Sequence, residues 1–238
     1  MLERLRLPGL GGWSEDPLWA TVYDWSVEHR NVGGALWRLG IGSDLGLLYD
    51  AAAEIGRQPA GSSVLDVPCG GGVALRGLRR GQGIRYVAAD IAQAMLDRTM
   101  DAAHQRGVAD QVVPELADVG DLPFADGEFD LVVSFTGLHC FPDPHAAVLE
   151  MGRVTHAGGV LSGSALLNPD TLSIGGLRTM PIRQVGRVAG LLGPSATRIE
   201  VRDWMEEAGF VDVTLRMSGA MGYFRGVKDA SADLNGAG

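Results

Sequence analysis

Val64-Leu65-Asp66-Val67-Pro68-Cys69-Gly70-Gly71-Gly72 decides how the rest of the chain is read. A short apolar run ends in an acid, and a glycine cluster follows it. Glycines let a backbone approach a ligand closely, at a turn whose free N–H groups face outward. A tight strand-to-helix turn would use the same residues, and a helical stretch is expected from here to about Arg80. Outward from this point the pattern repeats. Ile84 to Ala89 reads as a second strand ending at Asp90, and residues 92–106 have helical composition. Gln111 to Leu116, Phe129 to Phe135 and Gly159 to Leu166 read as further strands, and Pro144 to Val154 as a helix opened by proline. After a helix over Val201 to Ala208, Val211 to Met217 and Met221 to Val227 suit a closing antiparallel hairpin. Strands alternating with helices, and apolar enough to be buried on both faces, predict an α/β, doubly wound sheet of seven strands.

The acids after the strands carry the chemistry. Asp90 stands 20 residues beyond Gly70, where a carboxylate can accept from both hydroxyls of a ribose; it also suits a helix N-cap. A nicotinamide dehydrogenase would use the same two features, but its third fingerprint glycine is replaced here by Leu75. Asp118 follows the third strand. A net charge of -9, from 29 acids and 20 bases, argues against a non-specific nucleic-acid binder. Two cysteines, Cys69 and Cys140, make neither a disulfide framework nor a zinc site alone, and no Asp, Glu, His and Cys cluster has metal-ligand spacing, so no metal is expected. No uncharged apolar run reaches the roughly 18 residues of a membrane span. The N-terminus lacks a secretory apolar core. The expectation is a cytoplasmic protein, with an oligomer compatible with the sequence.

In this order and spacing, the segments resemble the class I S-adenosylmethionine-dependent methyltransferases. The similarity is to the branch holding quinone-biosynthesis C-methyltransferases and many small-molecule methyltransferases. It covers residues 60–166, and 200–227 through the hairpin. The resemblance implies a Rossmann-like core and S-adenosylmethionine as cofactor, with S-adenosylhomocysteine as product. Asp66, Pro68, Cys69, Gly70 and Gly72 fall in the motif that holds the amino-acid end of that cofactor. Asp90 matches the ribose-binding acid, with Ile91 beside the adenine and Met95 on the helix that follows. Asp118 and Val119 match the adenine-reading position, and Ser134 and Phe135 the strand end beneath the reactive methyl. Pro68 stands where the family usually has glycine, so the turn must differ locally. Tyr23 matches a Tyr-Asp pair that closes over the cofactor. The layout implied is one domain over 1–228: a helical cap at 1–55, a cofactor core at 60–166, a substrate lid at 167–199 and a closing helix and hairpin at 200–228. A tail at 229–238 is expected to fray.

An oxygen nucleophile needs a base near neutral pH, which suits histidine. His139, just past the fourth strand, is the leading candidate, with His29 in the cap second; a packed, structural His139 is the alternative. His104 is expected in solvent, and His145 and His156 on the surface. The lid carries Arg178, Arg183 and Arg187, which could meet an anionic substrate group or simply face water. With four tryptophans in the cap, it favours a lipophilic or aromatic acceptor. The expected function is methyl transfer to a small molecule, O-methylation favoured, with C- or N-methylation open. The alternatives are a non-catalytic methyltransferase-like binding or regulatory subunit, and a nicotinamide-dependent oxidoreductase.

Overall fold

The computed structural model describes residues 30–168, 194 and 196–231. The expectations for Tyr23, His29, the three lid arginines and most of the tail lie outside the described residues. The chain enters through helices α1 (Arg30–Gly40) and α2 (Gly46–Ala52). Strand β1 (Ser63–Asp66) leads into the glycine turn, and β2 (Arg85–Asp90) ends on the second acid. Helix α3 (Gln93–Arg106) and strands β3 (Val112–Leu116) and β4 (Phe129–Phe135) follow. Then come α4 (Pro144–Val154), β5 (Thr155–Leu166), α5 (Arg198–Glu207), β6 (Phe210–Ser218) and β7 (Met221–Lys228).

The strands form one seven-stranded sheet in the order β3-β2-β1-β4-β5-β7-β6. Strands β1 to β5 pair in parallel, whereas β7 runs antiparallel to both β5 and β6. This is the doubly wound, Rossmann-like sheet with its closing hairpin that the sequence predicts. Alternation along the central strands divides the core in two. Leu65, Val132 and Phe129 face α4 and α5 in one cluster. Val64, Leu131, Val133 and Phe135 join Trp37 of α1, Leu48 of α2 and Leu96 of α3 in the other. Burial on both faces is why β4 reads Phe-Asp-Leu-Val-Val-Ser-Phe, almost without polar interruption.

The long helix expected after the glycine turn is absent. Only a 3₁₀ segment, Val73–Gly77, forms there. A Cβ on Gly77 would overlap the carbonyl oxygen of Ala52, so this segment is pressed against α2 and stops where glycine permits that approach. Gly81 and Gly83 then take positive φ, which ends any helical continuation. The fifth strand also starts earlier than expected, at Thr155, with a register irregularity between Phe129 and Leu131.

Candidate active site

The acids at the ends of β1 and β2 lie side by side at the carboxyl edge of the sheet, since Asp66 pairs in register with Ala88, two residues before Asp90. The turn between β1 and the 3₁₀ segment is tied down by side chains from its neighbours. Asp90 Oδ2 accepts from the Gly70 N–H at 3.0 Å, and Oδ1 accepts from the Ala92 N–H at 3.0 Å. Thr99, on the buried face of α3, donates its hydroxyl to the Gly70 carbonyl at 2.7 Å. The Gly70 peptide is therefore gripped from both sides, by an acceptor on β2 and a donor on α3. Gly72 has φ of 80°, and a Cβ there would lie 2.9 Å from Leu75 Cδ1 and 3.4 Å from the Thr99 Cα. The Val67–Pro68 peptide is cis, the local departure that proline at this position implied. Cys69 is buried beside Thr99, and burial pushes its thiol well above the ordinary range.

Asp66 is only 1% exposed. Its Oδ2 accepts from the Tyr86 hydroxyl at 2.7 Å, the one donor to it among the described residues. Burial raises its pKa to about 7, the Tyr86 hydrogen bond opposes the rise, and the nearby Asp90 charge adds to it. Burial also raises Asp90, against three backbone N–H groups that lower it. Two acids raised together in one cleft, with no cation beside them among the described residues, form a site short of positive charge.

The end of β4 closes the cleft. Ser134 is fully buried, and its Oγ has no hydrogen-bond partner, the only such buried side-chain atom among the described residues. Thr136 takes φ of 56°, rare for a β-branched residue, and its N–H donates to the Ser164 carbonyl at 2.8 Å. Gly137 lies where a Cβ would meet Ser134 Oγ at 2.7 Å and also Pro68, so the turns after β1 and β4 touch. His139 is buried, and its Nδ1 accepts from the Leu166 N–H at 3.1 Å. A ring nitrogen that accepts a backbone N–H carries no proton, so the neutral ring holds its proton on Nε2. A backbone hydrogen bond of this kind belongs to the packed, structural alternative named for His139. Cys140 is held above the ordinary thiol range by burial, at about 12, and is no thiolate.

The outer candidate positions differ in exposure. Ile91 is 64% exposed directly after Asp90. Val119 is buried and Asp118 exposed, with Asp118 Oδ1 accepting from the Gly120 N–H at 2.9 Å. Met95 is buried with Ala92 at the start of α3. Phe135 packs into the core behind the site. His104 and His156 are exposed, as expected, and His145 pairs with Glu207 at 2.9 Å, away from the acids. Sequence reasoning missed Tyr86 and Thr99, and placed Thr136 only within the Ser134 to Leu138 strand end, without its strained backbone. Only the strand register brings Tyr86 to Asp66, and nothing in the local composition marks Thr99 or the strain at Thr136.

Residues 65–162 match the methyltransferase domain family. The 27-O-demethylrifamycin SV methyltransferase of Amycolatopsis mediterranei (strain S699) is 33% identical over 123 residues, which cover 51% of this chain and 45% of that protein. The chain thus spans about half the length of this curated relative. A possible exported protein from Bordetella parapertussis superposes with a TM-score of 0.71 at 20% identity, covering 89% of this chain and 79% of that one. A putative sarcosine dimethylglycine methyltransferase from Galdieria sulphuraria gives 0.64 at 18% identity, covering 86% and 90%. The matched stretch holds both acids of the cleft, and the sheet order and superpositions are those of a Rossmann-like methyltransferase fold.

Proposed function

We propose that this protein transfers a methyl group from S-adenosylmethionine to a small, lipophilic or aromatic acceptor, most readily at oxygen, as one cytoplasmic domain over residues 1–228. The observation that carries the reading is Asp66, a buried carboxylate with a single donor, beside a second raised acid. An α-ammonium group is the partner it lacks. The relative from Amycolatopsis, whose name places its methyl on an oxygen, supports the choice of acceptor atom.

When bound, S-adenosylmethionine supplies an electrophilic methyl on a sulfonium. The chain's own residues supply placement. Asp66 receives the ammonium, and Asp90 keeps lone pairs for the ribose hydroxyls while its backbone donors hold the glycine turn. Ile91, Asp118 and Val119 form the adenine platform. Ser134 offers its unpaired hydroxyl beneath the reacting centre. His139, held through Nδ1 by the Leu166 N–H, stands beside the end of β4 as the candidate to act on the acceptor. Alignment and exclusion of water lower the barrier to in-line transfer, whose charge disperses in the transition state.

The test is calorimetric binding of S-adenosylhomocysteine against NAD(P), followed by transfer of labelled methyl to a panel of hydroxylated aromatic and macrocyclic acceptors. Binding of S-adenosylhomocysteine alone, with label incorporated into at least one acceptor oxygen, is expected. Binding of NAD(P) alone overturns the cofactor. Binding without transfer to any acceptor favours the regulatory reading.

A further inference from the structure

The pairing of β1 with β2 places Val64 opposite Tyr86 and Asp66 opposite Ala88, so Tyr86 lies two residues back along the neighbouring strand. Its side chain reaches forward along the sheet to bring the phenol to Asp66 Oδ2, 2.7 Å away. Both residues are almost fully buried, Tyr86 at 0% and Asp66 at 1% exposure. A tyrosine within a sheet core costs the desolvation of its hydroxyl unless a partner takes it, so the position is specified for that bond. The bond occupies one carboxylate oxygen and leaves Oδ1 as the acceptor available to a ligand. Among the described residues, the titratable groups that face Asp66 are Tyr86 on β2, Asp90 at the end of β2 and Cys69 in the glycine turn, none of them a cation.

We propose that Tyr86 is a positioning residue for the cofactor's amino-acid end, and that the Tyr86–Asp66 pair makes cofactor uptake release a proton. This rests on the methyltransferase reading. Below neutral pH the free protein holds Asp66 as a carboxylic acid. Entry of a ligand ammonium converts it to carboxylate: the O–H bond of Asp66 breaks, its proton goes to solvent, and the ammonium keeps its own three. Tyr86 donates to the same oxygen before and after, so it selects the ionised form without exchanging a proton itself. Affinity then falls about tenfold per pH unit below the Asp66 midpoint and levels off above it, until the ligand's own ammonium begins to deprotonate.

The experiment is calorimetric titration of the full chain with S-adenosylhomocysteine from pH 5.5 to 9, in buffers of different ionisation enthalpy. About one proton released per ligand at pH 6 and close to none at pH 8 is expected, with uptake above that as the ligand's own amine loses its proton in solution. Y86F, checked for folding by circular dichroism, moves the midpoint of the affinity profile upward by about one pH unit. D66N flattens the profile. A wild type that binds with no proton release, or a Y86F profile with an unmoved midpoint, overturns the proposal while leaving the methyltransferase reading intact. No binding at any pH removes both. Should Y86F fail to fold, the ζ-carbon NMR signal of Tyr86 in labelled wild type is followed instead. It shifts across the Asp66 midpoint if the hydroxyl senses that carboxyl, and an unchanged signal overturns the proposal.

Discussion

The two edges of the sheet carry charge in opposite ways. At the amino edge, Arg153 donates to Glu150 and Asp126 at 2.8 and 2.7 Å and to the carbonyls of Leu122 and Phe124. Arg85 meets Glu128 at 2.6 Å there, and Asp130 caps the Ser63 N–H. Every charge in this set has a partner, and the pKa shifts agree: the hydrogen bond from Arg153 lowers Glu150, and the acids raise Arg153. At the carboxyl edge both acids are raised by burial, Ser134 is unpartnered and Thr136 holds a strained backbone. The same fold is completed on one side and left open on the other. A ligand would complete the open side, whereas the closed side serves stability.

The largest expected effect is at Asp90. D90A removes the anchor of Gly70 and, on the proposed reading, the ribose acceptor, and should weaken S-adenosylhomocysteine binding at least about 100-fold by calorimetry. An affinity near wild type would mean that the carboxyl edge is not the cofactor site. D66N sharpens the contrast in sign. Asp66 has a raised pKa when folded, so the free protein loses stability as pH rises from about 4 to about 7. At pH 8 D66N should therefore melt a few degrees higher than wild type while binding S-adenosylhomocysteine about 30-fold more weakly. Glu150 behaves in the opposite way. Its lowered pKa contributes stability above its ordinary value and loses it as pH falls through the depressed one. R153M should lower the melting temperature by about 2–6 °C and leave the cofactor affinity unchanged. R38A is the smallest: its pair with Asp44 is 3.7 Å long and exposed on both sides, so melting should shift by less than about 1 °C.

The carboxyl edge was the more legible of the two in the sequence. Asp66, Asp90 and Asp118 mark themselves by ending apolar runs, the alternation of strands and helices pointed to the sheet, and the family resemblance implied the cofactor class before any coordinates. What they bond to was hidden, because Tyr86 and Thr99 reach the site through register and helix rotation, which local composition does not encode. The missing helix after Gly72 had a signal in Gly77, Gly81 and Gly83. Its force became visible only with α2 lying against Gly77. The His139 tautomer depends on the Leu166 N–H, 27 residues away, and no reading of the Leu138-His139-Cys140 segment alone could assign it. The paired charges of the amino edge were not singled out at all, since Arg153 and its partners come from two separate stretches of chain, 122–126 and 150–153.

The position of β7 has a consequence for how the protein is made. It is the seventh strand in chain order, yet it lies inside the sheet, bonded to β5 on one side and β6 on the other. A nascent chain leaving the ribosome can assemble β1 to β5 early, but β5 keeps a bare, adhesive border until residues 221–228 emerge. A premature stop codon before Met221 would thus leave two strands without their shared neighbour. Chaperone demand and the toxicity of truncated translation products should both concentrate in that short interval.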